Sequence, residues 1–164
     1  MKSIFTEFSN VEWGLKGLQE LINIHPLFVH FPVALLLAST AFFVIGLIVR
    51  NENLYIAGKW TFYLGTLAAA VTVWTGLEAA KTVPHGGGTH EIMMVHQYFG
   101  FVVLGLSLVL SAWLFFSKTN IPSKGRVFFL LGLLLLNAVL IQGADLGGRM
   151  AFLNGVGVGK KSAL

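Results

Sequence analysis

Four long apolar segments, separated by short polar ones, dominate the hydrophobic pattern of the chain. They cover residues 27–49, 60–80, 92–116 and 127–146. Each is close to the ~20 apolar residues that a helix needs to cross about 30 Å of hydrocarbon. In lipid the backbone must satisfy its own hydrogen bonds, which favours helices. The pattern therefore predicts an all-α integral membrane protein, folded as a four-helix bundle with four spans.

The segment before the first span has a different pattern. Apolar side chains recur there at steps of three and four residues: Phe8, Val11, Leu15 and Leu18. Because this spacing places them on one face of a helix, the pattern predicts an amphipathic helix that lies in the membrane interface. We therefore divide the chain into an interfacial helix at 1–22, a four-span domain at 23–158 and a tail at 159–164.

Composition agrees with a membrane protein and excludes several functions. The chain of 164 residues is 55% hydrophobic and only 11% charged, whereas soluble domains carry about 25% charged residues. It has no cysteine, which excludes disulfides, thiolate-ligated haem and cysteine-ligated iron–sulfur clusters. The net charge of +4 comes mainly from loops and tail, without the basic groove of a nucleic-acid-binding protein.

Basic residues in the short loops indicate the orientation. The loops after the first and third spans carry these: Arg50 and Lys59, then Lys118, Lys124 and Arg126. Short loops rich in lysine and arginine stay in the cytoplasm. Since the number of predicted spans is even, we expect both termini on the extracytoplasmic side.

Two of the predicted spans open with a pair of histidines: His25 and His30 in the first, His90 and His96 in the third. An ionisable side chain at membrane depth costs roughly 2.5–3.5 kcal/mol and is by default a functional hypothesis. His30 lies 20 residues before Arg50. His96 lies 22 residues before Lys118. At about 1.5 Å of rise per residue, both imidazoles are expected at the same level, near the outer face.

Paired histidines on two helices are the ligands of a b-type haem. Neutral imidazole is a common axial ligand of haem iron, and such a site needs two rings at one level. His30 and His96 fit this requirement best as iron ligands. The pairs His25–His96 and His25–His90 are alternatives.

Two further residues extend the predicted haem site. Gly100 stands four residues after His96 and would clear space beside the ring for a macrocycle, although close helix packing explains it equally well. Arg149 stands four residues after Asp145, so it can pair with that carboxylate or bind an anionic group such as a haem propionate. We therefore expect an electron-transfer protein or a subunit of a larger redox complex, with cytochrome c or a quinol as partner. Without a catalytic nucleophile and base, it is not expected to be an enzyme by itself.

Three other interpretations stay open. Imidazole and thioether ligands suit copper, and the third span offers both: His90, Met93, Met94 and His96. A proton or ion path would use polar groups within the spans: Glu78, His96, Gln142 and Asp145. The histidines could also serve only packing, in which case the protein is a structural or assembly subunit of a membrane complex.

Motifs at both ends of the four-span region resemble a known family. They read His25-Pro26-Leu27-Phe28-Val29-His30-Phe31-Pro32, then Gly143-Ala144-Asp145-Leu146-Gly147-Gly148 and Gly155-Val156-Gly157-Val158. They are similar to those of a widespread bacterial family of four-span membrane proteins of unassigned function, and the resemblance covers residues 23–158. It implies four helices in the bacterial inner membrane and marks His25 and His30. At residues 150–154 the chain departs from the family, where many members have a Val-Tyr-Arg-His-like stretch.

Overall fold

The computed structural model describes residues 14–19, 21–83, 86–117 and 119–157, and throughout these ranges the only regular structure is helical. The helices are α1 Lys16–Gln19, α2 His25–Phe28, α3 His30–Val49, α4 Glu52–Ala80, α5 Gly88–Phe116 and α6 Arg126–Phe152. The all-α prediction is confirmed for this part of the chain. Most of the predicted interfacial helix and the tail lie outside the described residues, and within 14–22 the structure forms only the single turn α1.

Three helical segments of the described chain are long and apolar enough to cross a membrane. They are His25–Val49, which joins α2 and α3, Gly88–Phe116 and Arg126–Phe152. The fourth long helix, α4, is less apolar and does not qualify on the same grounds. The membrane prediction is therefore supported by three helices.

Local signals set the turn between α3 and α4. Arg50 adopts a left-handed backbone conformation with φ of 54°, which ends α3. Asn51 then caps α4, because its side chain accepts a hydrogen bond from the backbone N–H of Asn53 at 2.9 Å. An asparagine in this position satisfies one of the free N–H groups at a helix start. The turn is tight enough to hold α3 and α4 antiparallel and in extensive contact.

The four long helices pack in a ring. Each contacts the next along the chain, and α6 returns to contact α3. Aromatic rings fill the half of the interior nearest the α3–α4 turn: Phe129 lies edge-on to Phe43 at 5.5 Å and to Trp113 at 5.9 Å. Edge-to-face pairs of this kind add to the stabilisation from burial. The opposite half, where α3 begins and α6 ends, contains a cavity instead.

Small and hydroxyl-bearing residues bring α3 close to α4. A Cβ atom added at Gly65 would lie 2.8 Å from Leu36 Cδ2, so a larger residue there would require Leu36 or the helices to shift. Ser39 is fully buried, and its hydroxyl donates to the Gly58 carbonyl at 3.0 Å. These contacts are typical of helix association in membranes, where small residues and interhelical hydrogen bonds replace a hydrophobic driving force.

Replacing Ser39 by alanine should lower stability modestly. The variant loses the interhelical bond to Gly58, and such bonds contribute about 0.6 kcal/mol on average in membrane proteins. The free energy of unfolding in mixed detergent micelles would measure the loss. Ser123→Ala, at an exposed loop position, is the matched control, and equal losses in both variants would contradict the assigned role of Ser39.

Candidate functional site

The first predicted span starts with a break between α2 and α3, and a side chain of α4 bonds the backbone carbonyl that the break leaves without a helical partner. Pro32 has no N–H, so the carbonyl of Phe28 lacks its normal helical partner. Thr72 of α4 supplies one instead, since its hydroxyl donates to the Phe28 carbonyl at 3.1 Å. The short helix α2 is thus attached to α4 by a side chain, which positions the histidine at its start.

His25 is the first residue of α2 and reaches α4 through its ring. Its Nδ1 atom lies 3.2 Å from the Thr75 hydroxyl oxygen, and that hydroxyl donates to the Thr72 carbonyl at 3.1 Å. A hydroxyl has a single hydrogen to donate. Thr75 therefore accepts from His25, the Nδ1 atom carries the proton, and Nε2 keeps a free lone pair.

His96, near the start of α5, has the same arrangement on the other side of the cavity. Its Nδ1 atom lies 2.8 Å from the Gly143 carbonyl oxygen of α6. A carbonyl can only accept, so Nδ1 again carries the proton and Nε2 keeps its lone pair. Fixing the tautomer through the second ring nitrogen is the usual way in which proteins prepare a histidine to bind a metal.

The two imidazoles lie close together, and both line the cavity. Their ring centroids are 6.3 Å apart, with an angle of 80° between the planes. Each ring lies against a glycine. A Cβ atom added at Gly76 would be 3.0 Å from His25 Cε1, and one added at Gly147 would be 3.1 Å from His96 Cε1. An added methyl group at either position would be closer to the ring than an ordinary contact, so the ring would have to move by a few tenths of an ångström.

The cavity between the helices has a volume of about 620 Å³, within the range of pockets that bind small molecules and cofactors. Its walls are predominantly apolar, with Val33, Val73, Phe99 and Leu140 among the contributors. The polar side chains of the lining are few: Asn23, His25, His30, Thr72, His96 and Gln97. An apolar cavity with two convergent imidazoles is the strongest candidate site in the described part of the chain.

The structure brings together one of the alternative pairs, His25 and His96, rather than the pair ranked first. His30 lines the same cavity but is exposed. Counting residues from the loops gave the height of each ring but not its direction. His25 and His30 belong to different helices on either side of Val29, and the structure places the ring of His25 beside that of His96.

The remaining predicted site residues lie at the edge of the cavity or outside it. Gly100 lines it, but a Cβ there would meet Val73 at an ordinary 3.7 Å, so glycine is not required for space. Among the described residues, neither His90 nor Arg149 contributes to the walls. Arg149 instead pairs with Asp145 at 2.8 Å, and both side chains are about half exposed.

The alternative site hypotheses gain little from the structure. Met93 packs in a small apolar cluster with Val83 and Met150, whereas Met94 is exposed. Within the described residues, no group of three or more histidine, aspartate or glutamate side chains could hold a metal ion. Of the predicted proton path, Glu78 forms an exposed ion pair with Lys81 at 2.7 Å.

Several residues that shape the site were missed from the sequence. Thr72, Thr75 and Gly76 lie in the second predicted span, and Gly147 lies in the glycine-rich motif near the end of the fourth. The spacing of Thr72, Thr75 and Gly76 is the one signal that the sequence offers. These three residues lie within five positions, so one short stretch of helix carries two hydroxyl groups and a position without a side chain. The structure is needed to show that this stretch of α4 contacts the ring of His25 in α2.

Comparison with known proteins identifies the family of the chain, but this family has no assigned function. No curated protein and no solved structure matches the chain. The family described as predicted membrane protein DUF2231, whose function is unknown, matches residues 21–160. This range includes His25 and His96, the glycines that contact their rings and all four long helices. The chain therefore belongs to this family of membrane proteins.

Proposed function

We propose that the protein is a four-span cytochrome of the bacterial inner membrane, which binds one b-type haem between His25 and His96 and passes electrons. The observation that carries the proposal is the pair of imidazoles whose Nδ1 atoms are both occupied. In each of these two rings, Nε2 is then the nitrogen with a free lone pair. The termini would lie on the outer side, as the loop charges indicate.

The distance between the rings supports a shared metal. A metal ion bound end-on to one nitrogen of each ring, at about 2 Å, holds the ring centroids about 6 Å apart. The observed separation of 6.3 Å agrees with this value. Because the two ligands come from α2 and α5, the iron would link the first and third predicted spans.

The walls of the cavity suit a macrocycle. They are apolar and come from all four long helices, and an apolar environment is one of the features by which proteins tune haem. The glycines under the rings allow the helices to approach without closing the cavity. Arg149 lies at the same end of the molecule and would bind a propionate if its bond to Asp145 were exchanged.

The fourth span is part of this proposal. No charged residue occurs in α4 between Lys59 and Glu78, a stretch of 18 residues that covers about 27 Å as a helix. The side chains that α4 exposes along this stretch are apolar or interfacial in type: Trp60, Leu64, Leu67, Trp74 and Leu77. Such a surface is suited to lipid, and tryptophan is typical of membrane interfaces.

The haem, when bound, supplies one-electron chemistry, and the protein residues supply the rest. His25 and His96 would hold the iron, and Thr75 and the Gly143 carbonyl would orient the two rings through their Nδ1 atoms. The apolar walls exclude water. Outward-facing apolar side chains such as Phe101 and Leu134 contact the lipid bilayer. We propose a cytochrome c or a quinol as redox partner, within a larger redox complex.

A reduced-minus-oxidised difference spectrum of the purified protein tests the function. Dithionite and ferricyanide should give a sharp b-type α band, with one haem per chain. A folded but colourless protein, unchanged by haem supplied during expression, would contradict the proposal. Metal analysis for copper would then separate a copper site from a structural or assembly subunit.

A further inference from the structure

The two imidazoles of the cavity are held with unequal strength. His96 belongs to the long helix α5 and bonds a backbone carbonyl at 2.8 Å. His25 opens the four-residue helix α2 and bonds a side-chain hydroxyl at 3.2 Å. A longer bond to a neutral hydroxyl is the weaker of the two. The structure thus distinguishes a ring on a long helix with a short bond to a carbonyl from a ring on a four-residue helix with a longer bond to a hydroxyl.

We propose that, in the reduced haem protein, a neutral diatomic ligand such as carbon monoxide replaces His25 on the iron while His96 stays bound. The iron–nitrogen bond to His25 breaks and an iron–ligand bond forms, without transfer of electrons. This inference rests on the proposed function. It adds a second property, ligand binding, to a site that would otherwise only transfer electrons.

Side-chain hydrogen bonds hold the His25 end of the chain. The backbone N–H of His25 bonds Asn23 Oδ1 at 3.2 Å, and Thr72 reaches the Phe28 carbonyl at 3.1 Å. Each neutral bond of this kind contributes about 0.5–1.5 kcal/mol. Residues 21–24, which precede α2, form no helix or strand. Release of His25 therefore breaks a few weak bonds and leaves the long helices in place.

Release of His96 would disturb much more of the molecule. Its ring lies between α5 and α6, on Gly147 and against the Gly143 carbonyl, and these two helices are in extensive contact. The position is also within the regular part of a 29-residue helix. His96 is therefore the ligand that remains when the other is exchanged.

His30 is the competitor that the proposal must exclude. It lines the same cavity on the other side of the helix break, so it could occupy the iron when His25 leaves. Its exposed position at the start of α3, beyond the break after α2, argues against this exchange. A His30→Ala variant separates the two possibilities, because it should bind carbon monoxide with the same affinity as the unmodified protein.

Titration of the dithionite-reduced protein with carbon monoxide tests the inference. The Soret band should shift with a single saturable transition. Thr75→Val removes the hydroxyl that holds His25 and should lower the apparent Kd by about fivefold, the effect of one lost neutral hydrogen bond. Thr75→Ser keeps the hydroxyl and should restore the original affinity.

Thr66→Val is the matched control. Thr66 lies on the same helix, but its hydroxyl bonds Phe62 and Ser111 away from the cavity, so its loss should leave carbon monoxide binding unchanged. A reduced haem spectrum that saturating carbon monoxide does not alter would overturn the inference and leave the proposed function intact. Equal changes in Thr75→Val and Thr66→Val would also overturn it. Absence of a b-type spectrum before the gas is added would overturn both.

Discussion

His96→Ala should abolish haem binding, whereas His25→Ala should retain haem in altered form. Loss of an outer-shell partner already costs about 10–100-fold in metal affinity, so loss of His96 itself should cost more than about 100-fold. His25→Ala keeps the ring of His96, and its iron should lose one axial ligand. The haem content per chain and the reduced-minus-oxidised spectrum measure both effects.

His30→Ala and His90→Ala are the controls for this pair of variants. His30 lines the cavity but is exposed, and His90 lies away from the cavity walls. Both variants should keep the low-spin b-type spectrum. If His30→Ala lost haem and His25→Ala kept an unaltered spectrum, the pairing of His30 with His96 expected from depth alone would be correct instead.

The depth of a residue in a span can be derived from sequence, but the direction of its side chain is harder to derive. Counting from the basic loops gives His30 the same level as His96, but it does not give the direction of either ring. A helix that starts at a proline-containing break has no fixed rotation until its neighbours are known. Here the rotation is set by Thr72 and Thr75 of α4, about 50 residues away. Contacts at such separations are tertiary, and no local pattern predicts them.

The fold class was accessible from the sequence because lipid restricts the choices. Long apolar segments can only be helices in a membrane, and each of the four predicted segments is a helix in the structure. The second segment is the least apolar, since its glycines, alanines and threonines serve helix contacts and the cavity. The small and hydroxyl-bearing residues that make α4 less apolar than the other long helices thus include Thr75 and Gly76, which lie beside His25.

Gly147→Ala should weaken haem binding by about tenfold, the lower end of the effects produced by changes around a metal ligand. The added methyl group would lie 3.1 Å from His96 Cε1, closer than an ordinary contact. The ring must move by a few tenths of an ångström, which lengthens its bond to the Gly143 carbonyl and turns Nε2 away from the iron. Titration of the haem-free protein with haemin measures the change in affinity.

Gly148→Ala is the control that makes this result specific. It also lines the cavity, but its added methyl group would have its nearest neighbour, Phe152 Cδ2, at 3.9 Å. Helix propensity changes equally in the two variants, since both replace a glycine of α6 by alanine. A tenfold difference between neighbouring positions can therefore come only from the contact with His96. Equal affinities would mean that the ring moves at no cost, and that the glycine beneath it serves helix packing alone.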